Sequence, residues 1–109
     1  MSKPIIFTDH KDPILTAYLK EISKFPIYPV DEIIELVKKA QSGDIEARDK
    51  VIKSHLRFVV TIAKRWQGRG VPLMDLISEG NNALLYALEK FDVNRGTPFI
   101  SYAVHWIKQ

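Results

Sequence analysis

Apolar residues in this chain recur at steps of three and four along almost its whole length, and no stretch alternates apolar and polar residues convincingly. That period belongs to helices with one buried stripe, so an all-α fold is expected. At 109 residues and 46% hydrophobic, the chain has the size and apolar content of one compact domain. About five helices are expected over residues 12–109, after a flexible tail at 1–11 that has no periodicity.

The helix boundaries follow from capping chemistry. Asp12-Pro13 supplies an N-cap and a proline suited to the first turn, and Ile14, Leu15, Tyr18, Leu19 and Ile22 then share a face. Phe25-Pro26 and Pro29 force an extended link. A second helix starts near Val30 with the stripe Ile33, Ile34, Val37 and Ala40, and Ser42-Gly43-Asp44 reads as a glycine stop followed by a new N-cap. From Ile45 to Trp66 helical spacing persists, as one long helix or as two with a bend near Ser54-His55. Gln67-Gly68-Arg69-Gly70-Val71-Pro72 ends that element and starts the next. Leu73, Ile77, Gly80, Leu84, Ala87 and Phe91 form the next seam, leaving Asp75, Ser78, Glu79, Asn82, Tyr86 and Glu89 on a polar, partly acidic outer face. After the turn Asn94-Arg95-Gly96, Thr97-Pro98 is expected as N-cap and first helical residue, with Phe99, Tyr102, Ala103 and Trp106 inside. No helix stop follows, so the chain is expected to be a fragment cut within its last helix.

Charge and composition narrow the function classes. Lys plus Arg number 16 against 13 Asp plus Glu, a net +3, which suits a nucleic-acid or acidic partner without requiring one. There is no cysteine, so no disulfide framework, thiolate metal site or cysteine nucleophile is possible. His10, His55 and His105 lack metal-ligand spacing, and neither a serine–histidine–acid order nor a phosphate-cradling glycine loop is visible. No catalytic constellation and no cofactor is therefore expected. No apolar run approaches the roughly 20 residues of a membrane span, and the amino-terminal segment has no signal-peptide character, so a cytoplasmic protein is expected.

Two constellations suit recognition. Between Lys50 and Arg69 lie six basic residues and no acidic one, with Lys50, Lys53, Arg57 and Lys64 at helical spacing. Such a face could neutralise phosphates or simply be solvated. The second constellation is Phe91, Phe99, Tyr102 and Trp106, with His105, Arg95 and Lys108 close by in sequence. An aromatic stacked on an unpaired base is worth about 1–3 kcal/mol, comparable with the cost of unstacking a nucleotide, so such a cluster could hold a strand open without ATP. Spacing alone favours core positions for Phe91, Phe99 and Trp106, and leaves Tyr102 and His105 as the stronger recognition candidates.

Three blocks carry a family resemblance. Leu56-Arg57-Phe58-Val59-Val60-Thr61-Ile62-Ala63-Lys64-Arg65, Asp75-Leu76-Ile77-Ser78-Glu79-Gly80-Asn81, and Glu89-Lys90-Phe91-Asp92 with Arg95-Gly96 resemble, in order, conserved region 2 of primary-type bacterial RNA polymerase sigma factors. Phe99 to Gln109 is similar to the block that recognises the promoter minus-ten element, and Asp12 to Ile22 to the start of region 1.2. The resemblance implies a sigma region 2 fold and two surfaces. Met74, Asp75, Ser78, Glu79, Asn81 and Leu85 match the docking site for the clamp coiled coil of the polymerase beta-prime subunit. Phe91, Arg95, Phe99, Tyr102, His105, Trp106 and Gln109 match residues that take the non-template strand and flip the adenine at the second minus-ten position. In this scheme Tyr102 stacks on that base, Arg95 and Phe91 line its pocket, Lys64, Arg65 and Lys108 lie near phosphates, and Gln109 reads the first position as duplex. An anti-sigma factor is a further partner the resemblance allows.

Several positions depart from the family pattern. His105 stands where the first tryptophan of a wedging pair is usual; Thr97 and Pro98 replace an aromatic and a basic residue. His55 replaces an asparagine that contacts a downstream base, Tyr86 a common lysine, and Asn82-Ala83 an aliphatic–glycine pair. These changes point to a divergent member, and they keep open a second reading: a sigma-like protein-interaction module that docks on polymerase without opening DNA.

Overall fold

The computed structural model describes residues 12–108. The tail expected at 1–11 and Gln109 lie outside the described residues. Among the described residues there are six α-helices: α1 (Pro13–Ile22), α2 (Val30–Gln41), α3 (Ile45–Ser54), α4 (Leu56–Lys64), α5 (Leu73–Lys90) and α6 (Phe99–Ile107). Because α3 and α4 are one element broken at a single residue, the helical elements number five, and no strand accompanies them among the described residues. None of these helices is long and apolar enough to cross a membrane.

The caps explain most boundaries. Asp12 Oδ1 accepts from the backbone N–H groups of Ile14 and Leu15 at 2.9 and 3.4 Å, with Pro13 in the first turn. Leu15 and Ile22 of α1 are buried, but Ile14, expected on the buried face, is 68% exposed. At the end of α2, Gly43 takes φ 105°, where a side chain would be strained, and Asp44 then caps α3 by accepting from the Ala47 N–H at 3.1 Å. The two prolines expected in first helical turns sit one place earlier: Pro72 and Pro98 are the N-caps of α5 and α6, both extended and without a side-chain cap bond. Proline's fixed φ suits either position, so sequence does not separate them. Thr97 accordingly is not the cap. Asp92 instead caps a short 3₁₀ turn at Val93–Arg95, accepting from the Asn94 N–H at 3.0 Å.

The open choice between one long helix and two resolves at His55, which closes α3 and starts α4 with φ −111° and ψ 1°. His55 Nδ1 donates to the Val51 carbonyl at 2.7 Å, and Ser54 Oγ donates to the same oxygen at 2.9 Å. Local side-chain bonds thus compete with the backbone ladder where the helix breaks.

Two cores hold the helices. The larger gathers Ile33, Leu36 and Val37 of α2, Ala47 and Val51 of α3, Val59 of α4, Leu84 and Leu88 of α5, and Phe99 and Ala103 of α6. The smaller packs Leu15 and Ile22 of α1 against Val60, Ala63 and Ile77. The helices α4 and α5 approach so closely that a Cβ on Gly80 would lie 2.6 Å from Val59 Cγ1. Gln41, at the end of α2, donates its side-chain amide to the carbonyls of Leu88 and Phe91 at 2.9 and 2.8 Å. It satisfies the otherwise open carboxyl end of α5 and ties the following turn to the core.

Candidate functional site

Helix α5 carries one candidate surface. Its buried seam of Ile77, Gly80, Leu84 and Ala87 turns Asp75, Ser78 and Glu79 outward into solvent. Neither carboxylate makes an ion pair or hydrogen bond with another described residue, so both charges are available to a partner. The other three residues expected there are placed differently. Met74 packs into the smaller core beside Tyr18 and Leu19, Leu85 is half-buried, and Asn81 donates to the Tyr18 hydroxyl at 3.3 Å. Asn81 thus ties α5 directly to α1, and Met74 covers the core they share. The Asn81 Oδ1 atom is buried and accepts no hydrogen bond from the described residues.

Rings assemble the second surface. Tyr102 lies between two neighbours, Phe91 at 5.5 Å and Trp106 at 6.3 Å between ring centroids. Phe91 meets Phe99 edge-on at 5.3 Å, Phe99 meets His55 at 5.3 Å, and at the other end Trp106 meets Tyr86 of α5 at 4.6 Å. Six rings therefore run without a gap from the α3–α4 break to the outer face of α5. Such edge-on and tilted pairs are each favourable by roughly 0.5–1.5 kcal/mol beyond the area they bury.

Placement sorts the residues expected at DNA. Phe91 and Phe99 are 4% and 1% exposed. Direct contact with DNA does not fit them, because both rings are buried in the core; Phe91 backs Tyr102, and Phe99 backs Phe91. Tyr102 and Trp106 are half-buried and keep one edge open, while Arg95, His105 and Lys108 are exposed. Arg65 is exposed at the end of α4, and Lys64 is half-buried. The break at His55 also divides the expected basic stripe. Lys53 on α3 sits 5.2 Å above the Phe25 ring, and Arg57 on α4 donates to the Phe25 carbonyl at 3.2 Å, so both clasp the α1–α2 link.

Two hollows flank the ring chain. A groove of about 780 Å³ between α4, α5 and α6 is lined by Trp66, Tyr86, Trp106 and Lys108, with Arg69 lying 4.5 Å above the Trp66 ring. A smaller one of about 280 Å³ is lined by Tyr28, His55, Arg57, Phe58 and Phe99. His55 is buried there, and burial lowers its pKa below the ordinary value of 6.5, against the smaller opposing effect of the bond to the Val51 carbonyl. Sequence reasoning missed His55 as a packed ring and Tyr86 as a partner of Trp106. The available signal was that both departures from the family pattern introduce aromatic rings.

The family described as Sigma-70 region 2 matches residues 51–109. Over 98 residues the chain is 49% identical to proteins named RNA polymerase sigma factor SigA from Listeria monocytogenes and Listeria innocua, covering 90% of this chain and 26% of each relative. A protein of the same name from Clostridium acetobutylicum is 48% identical over the same share. The chain thus spans about a quarter of the length of the curated relatives it matches. The matched span takes in more than half of the residues, with the whole of α4, α5 and α6, and on that ground the chain belongs to the sigma factor family.

Proposed function

We propose that this chain serves as the part of a cytoplasmic sigma factor that docks on RNA polymerase and captures the non-template strand of the promoter minus-ten element during transcription initiation. It does so without enzymatic chemistry. The observation that carries this reading is Tyr102, half-buried and bracketed by Phe91 at 5.5 Å and Trp106 at 6.3 Å, with the exposed Lys108 just past the end of the same helix. A ring held in place on both sides offers a ready platform for an unstacked base, since the ring itself needs little further ordering on binding. Arg95 and Lys108 supply phosphate attraction, and His105 adds a smaller stacking surface than a tryptophan would.

On α5, Asp75, Ser78 and Glu79 form the docking patch for the clamp coiled coil, with Leu85 as its apolar edge. Met74 and Asn81 act from behind, through α1.

Fluorescence anisotropy with a single-stranded minus-ten oligonucleotide tests the capture. Tyr102→Ala should weaken binding by about 1–3 kcal/mol, leave thermal stability within a few kcal/mol of the parent, and leave polymerase binding unchanged. Binding should also weaken as salt is raised. Undiminished oligonucleotide affinity in Tyr102→Ala removes the capture function and leaves the docking module that does not open DNA.

A further inference from the structure

Tyr102 has two neighbouring rings of very different security. Phe91 is fixed in the core at 4% exposure and tied by its carbonyl to Gln41. Trp106, one helical turn beyond Tyr102, is only half-buried and borders the large groove between α4, α5 and α6. Its inner side packs on the larger core, and on the groove side its nearest ring is Tyr86, which meets the indole edge-on at 4.6 Å, the shortest ring separation in the chain of six. Tyr86 is itself 43% exposed, and Lys90 one turn along α5 lies 5.4 Å above its ring. Its burial therefore adds little to the core. Its contact with Trp106 is the substantial one.

We infer that Tyr86 is a positioning residue for DNA capture: it holds the Trp106 indole against Tyr102 and so fixes the ring on which the flipped base stacks. The inference rests on the capture reading proposed for Tyr102. Physically, an indole on a helix face has several staggered rotamers open to it unless a neighbour closes them. The groove beside Trp106, about 780 Å³, leaves room for the indole to swing away from Tyr102 once Tyr86 is cut back. Tyr102 would then be supported on one side alone, and part of the stacking energy would go into restoring its pose. The exposed His105 has no ring partner among the described residues, so it does not replace the missing support.

The test compares binding of the full chain to two single-stranded minus-ten oligonucleotides, one with adenine and one with an abasic site at the second position. Wild type should prefer adenine. Tyr86→Ala should reduce that preference about three- to tenfold, the equivalent of one aromatic pair, while affinity for the abasic strand stays unchanged. Tyr86→Phe should restore it, because the ring and not the hydroxyl makes the contact. A role in general stability would instead lower both affinities together and leave the ratio intact. If Tyr86→Ala does not fold, Tyr86→Leu, which keeps apolar bulk without the ring, carries the same expectation. An unchanged ratio in the Tyr86 variants, with the ratio lost in Tyr102→Ala, overturns the positioning role alone. Absence of any preference in wild type overturns the capture reading and the positioning role with it.

Discussion

The two halves of α5 meet different demands. Its first turns present Asp75, Ser78 and Glu79 to solvent with no partner among the described residues, whereas its last turns are held by Gln41, by Phe91 and Phe99 below, and by the Tyr86–Trp106 contact above. The contrast separates a surface that the fold merely displays from one woven into the core. Substitutions at the first should change association and little else; substitutions at the buried rings beneath the second should change stability and recognition together.

The largest effect should come from Phe99→Ala. Removing a fully buried aromatic costs about 3–5 kcal/mol, a large part of the total stability of a domain this size. It also strips the support of His55 and Phe91, which both lean on the Phe99 ring. Thermal unfolding followed by circular dichroism should show a fall of well over ten degrees, at roughly 4–8 °C per kcal/mol. Next is Gln41→Ala, which leaves the carbonyls of Leu88 and Phe91 without their side-chain donor and should cost about 1–2 kcal/mol in the same measurement. A loss there confirms that the carboxyl end of α5 depends on α2; no loss would make the two halves of the helix alike.

Acid should act on the ring chain through His55, which packs on Phe99. Burial holds the pKa of His55 below its ordinary value, so the unfolded chain binds the proton more readily than the folded one. The neutral ring's contribution is therefore fully present above about pH 6.5 and is lost as pH falls through the lower, folded value. Protonation would also place a second positive charge in the hollow that Arg57 lines. The midpoint of thermal unfolding should fall as pH drops below 6.5, and His55→Asn should flatten that slope.

Much of this architecture was legible in the sequence because its signals are local. The seam Ile77, Gly80, Leu84 and Ala87 is buried as its spacing requires, and Asp12 and Asp44 cap helices where they stand. What escaped depends on contacts between distant segments. The choice between one helix and two at His55 is settled by the bond to Val51 together with a ring, Phe99, from the far end of the chain. Core positions for Phe91 and Phe99 followed from spacing; what spacing does not give is the contact of their rings with Tyr102 and His55. Gln41 reaches carbonyls 47 and 50 residues away, and Tyr86 finds Trp106 only once α5 and α6 are packed. No periodicity encodes these pairings. On the docking side, spacing put Asp75 and Glu79 on the outer face and the family resemblance gave them their role, whereas Met74 and Asn81 turn toward the smaller core and α1.

The smallest structural effect, and the most direct test of two separable surfaces, belongs to the double variant Asp75→Lys, Glu79→Lys. Asp75 lies in the first turn of α5, so reversing its charge near the helix dipole costs about 0.3–1 kcal/mol, and the exposed Glu79 less. Binding of this variant should be measured against core RNA polymerase and, in parallel, against the single-stranded minus-ten oligonucleotide. Loss of polymerase binding with oligonucleotide affinity kept is the predicted result; retained polymerase binding, or loss of both together in a folded protein, would contradict the division of the molecule into a displayed docking face and a woven capture face.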